Sequence, residues 1–234
     1  MGSPEFPLWK KCMLEMGGTY AITLFGPATI MVGFLVPGLD GLSRLFFDAL
    51  VPGVTLATCI TALAKYSGSH VNPAITVTFT STGSFSRSAI LPYMVFQLVG
   101  GLLAGLTLRL VFDSQVPSAS LGSNMIAVGV TSVQAIVLEV AGTILLCLVV
   151  LGAVTFIGAI WRQGVVCGVT LSLLIFFLGP ISGGSFNPVR SLGPALFAGY
   201  LDGLYVYLIT PIVGATLAGL LFQALRRRSK KSSP

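Results

Sequence analysis

The sequence predicts an all-α membrane protein, with six transmembrane helices plus two re-entrant half-helices arranged as an inverted repeat. Three observations predict it. Hydrophobic residues make up 54% of the 234 residues and charged residues only 9%, against roughly 25% charged in a soluble domain. The apolar residues gather into runs long enough to cross the hydrocarbon of a bilayer, which takes about 20 residues each. One loop motif also occurs twice, as Ser67-Gly68-Ser-His-Val-Asn72-Pro73-Ala74 and as Ser182-Gly183-Gly-Ser-Phe-Asn187-Pro188-Val189.

In order, the spans run from about Cys12 to Val36, Phe46 to Tyr66, Ala89 to Phe112, Val130 to Ile157, Gly164 to Leu178 and Leu204 to Leu225. The second and fifth spans each lead into one copy of the motif. Asparagine is a good helix N-cap and proline is tolerated at the first helical position, so each copy starts a new helix. That helix lasts about 10 residues, or about 15 Å, which is half the hydrocarbon thickness. Its end is marked by Ser81-Thr82-Gly83 in one copy and Ala198-Gly199 in the other. Irregular backbone at mid-membrane depth survives only inside protein or against a water-filled cavity, so the residues point to a pore with Asn72 beside Asn187.

The halves repeat beyond the motif. Leu14-Glu15-Met-Gly-Gly-Thr19 recurs as Leu138-Glu139-Val-Ala-Gly-Thr143, and the pattern Tyr93…Val99-Gly100…Leu103-Ala104-Gly105-Leu106 recurs as Tyr207…Val213-Gly214…Leu217-Ala218-Gly219-Leu220. Each half holds three spans, an odd number, so the second half is inverted relative to the first. We divide the chain into Met1–Phe6, which resembles a cloning remnant; one channel domain over 7–225 with repeats at about 12–112 and 130–225; and a basic tail over 226–234. Gly100, Gly101, Gly105, Gly214, Ala218 and Gly219 read as sites of close helix packing.

The net charge of +6 is placed for topology rather than nucleic acid. Lys10, Lys11, Arg87, Arg162, Arg226, Arg227, Arg228, Lys230 and Lys231 share one face, while Arg44 faces out with Asp40, Asp48, Asp113 and Asp202. The positive-inside rule then makes both termini cytoplasmic in an integral protein of the plasma or cytoplasmic membrane. A polybasic lipid site is the weaker reading of the tail. Cys12, Cys59, Cys147 and Cys167 lack metal-ligand spacing and read as buried thiols. No nucleophile–base pair or paired carboxylates occur, so no enzyme, metal or cofactor is expected.

The doubled Asn-Pro motif with matched flanks resembles the aquaporin and aquaglyceroporin family, or major intrinsic proteins, from Leu14 to Leu221; Val189 departs from the alanine usual there. The resemblance implies a passive channel for water and small uncharged solutes that excludes ions and protons, assembled as a homotetramer with one pore per subunit. It carries the selectivity-filter arginine to Arg190 and the other filter positions to Pro52, Ile175 and Gly184. Water-selective members usually have a bulky aromatic and a histidine at the first two of these, and glycerol facilitators two aromatics. This set is more similar to the nodulin-26-like and related microbial channels, which pass hydroxylated solutes such as boric or arsenous acid. Ser191 also departs from the aspartate usual in glycerol facilitators.

Two opposed helix N-termini concentrate positive potential at the midplane, and the amides of Asn72 and Asn187 offer donors to a passing oxygen. An intramembrane arginine is costly unless functional or paired, which singles out Arg190. Glu15 and Glu139 are read as acceptors for the loop backbone and His70 as a brace of the first loop. The alternatives are an inverted-repeat secondary transporter, with the two glutamates as coupling groups, and a non-conducting adhesion or junction protein of the same fold.

Overall fold

A computed structural model describes residues 6–112 and 121–232. Among these residues the chain forms α1 (Leu8–Leu35), α2 (Gly41–Ser67), α3 (Pro73–Ser81), α4 (Arg87–Phe112), α5 (Ser132–Phe156), α6 (Ile160–Ser182), α7 (Pro188–Ala198) and α8 (Leu204–Ser232). Six of them are long and apolar enough to cross a membrane; the two that are not are α3 and α7, the half-helices at the repeated motif. Asp113, counted above with the outer charges, lies outside the described residues.

Local chemistry sets the helix ends. Asp40 caps α2 by accepting from the Ser43 N–H at 2.7 Å, and that bond holds its carboxyl below the usual aspartate range. Thr131 and Gln134 form a reciprocal capping box at the start of α5. Helices α2 and α6 stop at Gly68 and Gly183, whose φ values of 90° and 96° lie in the left-handed region that favours glycine.

The packing reproduces the repeat. Helix α1 lies along α4 and α5 along α8, while α2 and α6 pair across the junction of the halves. Each half-helix packs on the last span of the other half, α3 on α8 and α7 on α4. Small residues permit the central approach: a Cβ on Gly53 would stand 2.5 Å from the Gly168 carbonyl oxygen. The glycines assigned to packing lie at such contacts, with Gly100 against the backbone of Met16, Gly105 against Gly193, and Gly214 against Thr143. The main buried cluster surrounds the half-helix starts and includes Val71, Ala74, Ile75 and Phe186. Large apolar side chains such as Leu91, Leu110 and Phe156 point outward, as a lipid solvent requires.

Several boundaries differ from the sequence reading; α1 and α2 begin at Leu8 and Gly41, before Cys12 and Phe46. Helix α6 begins at Ile160, before Gly164, and runs through Pro180 to Ser182. Helix α8 does not end at Leu225 but continues through Arg226, Arg227 and Arg228 to Ser232. Arginine and lysine are good helix formers, and cations at a helix C-terminus complement its dipole.

Candidate pore

The two loops that precede the half-helices have nearly the same backbone. Ser69 and Val71 adopt φ values of 50° and 44°, and Gly184 and Phe186 values of 62° and 54°. Three of these four residues carry a Cβ, so the conformation is disfavoured and must be held by its surroundings. Glu15 holds the first loop: Oε1 accepts from Ser67 Oγ at 2.7 Å and His70 N at 3.0 Å, and Oε2 from Val71 N at 2.6 Å. Glu139 holds the second, accepting from Ser182 Oγ at 2.8 Å and from the Ser185 and Phe186 N–H groups at 3.1 Å. Tyr93 and Tyr207 complete the pair, donating to the carbonyls of Ser67 at 2.7 Å and Ser182 at 2.8 Å.

Asn72 and Asn187 each cap their own half-helix and clasp the opposite loop. Asn72 Oδ1 accepts from Ala74 N at 2.8 Å while its Nδ2 donates to the Phe186 carbonyl at 2.9 Å. Asn187 Oδ1 accepts from Val189 N at 3.1 Å, and its Nδ2 donates to the Val71 carbonyl at 3.3 Å. An amide nitrogen carries two hydrogens. The clasp uses one of them, so a single N–H of each asparagine is left for a solute.

Both asparagines line one narrow cavity together with Pro52, Ile175, Gly184 and Arg190. It leaves about 50 Å³ for the centres of water-sized bodies, enough for a few waters in file. One wall is apolar, with Ile22, Leu56, Ile60, Leu146, Val150 and Leu171; the other is formed by the two loops. His70 lines this cavity and also a wider vestibule shared with Lys11, Tyr66 and Gln163. Its ring stacks on Phe79 at 4.8 Å and meets Phe85 edge-on at 4.7 Å, with Nδ1 at 3.1 Å from Thr76 Oγ1. The structure therefore brings Asn72, Asn187, Pro52, Ile175, Gly184, Arg190 and His70 to one cavity, while Pro73, Ala74, Pro188 and Val189 are buried at the starts of the half-helices and the two glutamates lie behind the loops.

The positioning of Arg190 was not legible in the sequence. Its Nη1 donates to the Gly122 carbonyl at 3.3 Å and to Oδ1 of Asn124, in the connection between α4 and α5. Asn124 Oδ1 also accepts from Ser191 Oγ at 2.7 Å, and its Nδ2 donates to the Gly183 carbonyl at 2.6 Å. One amide thus ties the arginine to the second loop. Gln97 was missed too: its Nε2 donates to Glu15 Oε2 at 2.9 Å and to Thr76 Oγ1 at 3.1 Å. A glutamine in the middle of an apolar span was the available signal; Asn124 carried none.

The Major intrinsic protein family profile matches residues 3–222. The chain is 34% identical to Aquaporin NIP1-2 of Arabidopsis thaliana over 239 residues, covering 97% of this chain and 78% of that one. It is 34% identical to Nodulin-26 of Glycine max over 234 residues, covering 97% and 82%. With Aquaporin AqpM of Methanothermobacter marburgensis it shares 33% over 240 residues, covering 93% and 98%. In fold it resembles the aquaglyceroporin from Plasmodium falciparum, with a TM-score of 0.83 and 22% identity over 93% of this chain and 96% of that one. With the doubled motif, the six spans and the shared cavity, these matches show that the chain belongs to the major intrinsic protein family of membrane channels for water and small neutral solutes.

Proposed function

We propose that this channel passes small uncharged hydroxylated solutes, such as glycerol and boric, arsenous or silicic acid, alongside water, and excludes ions and protons. The observation that carries the reading is the meeting of Asn72, Asn187 and Arg190 with Pro52, Ile175 and Gly184 around one cavity. At the mouth, the Arg190 guanidinium donates to a solute hydroxyl and repels cations. Gly184 contributes no side chain, so its carbonyl is open to accept from a second hydroxyl. Pro52 and Ile175 supply apolar walls that do not compete for those contacts. Deeper in, the free N–H of each asparagine hands the solute oxygen from one loop to the other in the positive field of two helix N-termini. A cation entering that field is repelled and loses hydration that the apolar wall does not replace.

By the placement of its charges the channel has both termini in the cytoplasm, and by likeness to its family it assembles as a homotetramer. The test is osmotic shrinking and re-swelling of proteoliposomes in each solute. Re-swelling faster than in protein-free vesicles, proportional to the gradient and independent of an imposed proton gradient, is expected. Water flux with no re-swelling in any of these solutes would overturn the assignment.

A further inference from the structure

At the C-terminal ends of α3 and α8 the chain forms a second polar site, remote from the pore. Gln223 Nε2 donates to the Ser81 carbonyl at 2.5 Å, which fixes α8 to the end of the half-helix. Beyond that bond a cleft of roughly 270 Å³ opens, lined by Thr82, Phe222, Gln223, Arg226 and Arg227. Arg226 lies over the Phe222 ring at 6.0 Å, and both arginines are exposed. Because α8 stays helical to Ser232, these side chains project from a rigid element, not from a loose tail.

Among the described residues no acid is placed to neutralise them. Among the described residues the acids are Glu15, Glu139, Asp40, Asp48 and Asp202. The glutamates are buried behind the pore loops. Asp40 caps the start of α2, Asp48 lies in its first turns, and Asp202 precedes α8, all at the opposite membrane face. On the same side of α8 as Arg227, seven and fourteen residues before it and so stacked beneath it at 3.6 residues per turn, Leu220 and Val213 are exposed at 55% and 42%, in the part of the helix apolar enough to span. An occupant therefore meets apolar surface at one end and two guanidinium forks at the other.

We propose that this cleft binds an anionic phospholipid, its phosphate on Arg226 and Arg227 and an acyl chain along Leu220 and Val213. Guanidinium matches phosphate in bidentate geometry, and basic residues just past a transmembrane helix are drawn to anionic lipid headgroups. Free phosphate shares the charge but not the apolar contact. A mere topology marker would need the charge but not the cleft.

Native mass spectrometry of the full detergent-solubilised chain, titrated with phosphatidylglycerol, phosphatidylcholine or inorganic phosphate, tests this. Phosphatidylglycerol is expected to bind in preference to the other two, and Arg226→Gln with Arg227→Gln to lower that preference by roughly fivefold per arginine. In the unaltered chain, raising salt from about 0.1 M to about 1 M, which shortens the screening length from about 10 Å to about 3 Å, should weaken it as well. Equal binding of the two lipids, phosphate binding as tightly as phosphatidylglycerol, or a preference indifferent to salt would overturn the proposal, even if the double variant failed to insert.

Discussion

The Cγ1 methyl of Val189 occupies the space that a side chain on Gly101 would need. The second motif's departure from alanine is thus absorbed by a glycine on α4, the span against which α7 packs. The Val189 carbonyl oxygen would stand 3.1 Å from the same Cβ, so a rotamer change of Val189 alone does not make room. Gly101→Ala should destabilise the protein by about 1–3 kcal/mol through overpacking. Val189→Ala leaves a void and should also cost stability, but the double variant should cost less than the two single changes added, with a coupling of at least about 0.5 kcal/mol. Thermal unfolding in detergent reads all three; strict additivity would show that the two sites do not compete for space.

Glu15 supports the first loop through four donors, from Ser67, His70, Val71 and Gln97. Glu15→Gln replaces one acceptor oxygen by a donor and leaves buried N–H groups facing it. A loss of about 3 kcal/mol is expected from the stranded donors, with lower water flux as the strained loop relaxes. Glu139→Gln should behave alike, because its contacts with Ser182, Ser185 and Phe186 repeat those of Glu15 with Ser67, His70 and Val71. Unchanged melting and flux in both variants would mean that the loops hold their shape without the carboxylates.

Arg190 and Asn124 separate charge from its positioning. Arg190→Val should leave neutral-solute flux largely intact and raise cation or proton leak, since a charge crossing low-dielectric surroundings faces a barrier of several kcal/mol. Asn124→Ala keeps the charge but removes its hydrogen-bond partner, so a smaller leak is expected, again with neutral-solute flux largely intact. Conductance across planar bilayers and vesicle re-swelling measure both. A folded Arg190→Val channel with no added leak would move the ion barrier to Asn72 and Asn187.

Pro52→Phe with Ile175→His should narrow the mouth, abolish flux of glycerol and boric acid, and spare water. Stopped-flow light scattering on proteoliposomes distinguishes these fluxes. Undiminished glycerol flux in the double variant would place the restriction away from these two side chains.

Much of the architecture follows from local chemistry and was therefore legible in the sequence. Apolar length sets the six spans, Asn72-Pro73 and Asn187-Pro188 start the half-helices, and the odd number of spans per repeat inverts one half against the other. Those rules act within a few residues or count along the chain. What the tertiary structure alone decided are relationships between distant segments: the clasp from Asn72 to the Phe186 carbonyl, the fit of Val189 against Gly101, and the hold of Asn124 on Arg190. Asn124 sits in a polar connection where an asparagine carries no local signal, and only the folding of that connection over α7 gives its amide a partner. The C-terminal basic segment shows the same division. Its charge is read directly from the residues, but a cleft requires the end of α3 beside α8, and the fold brings them together because each half must bury its half-helix against the other.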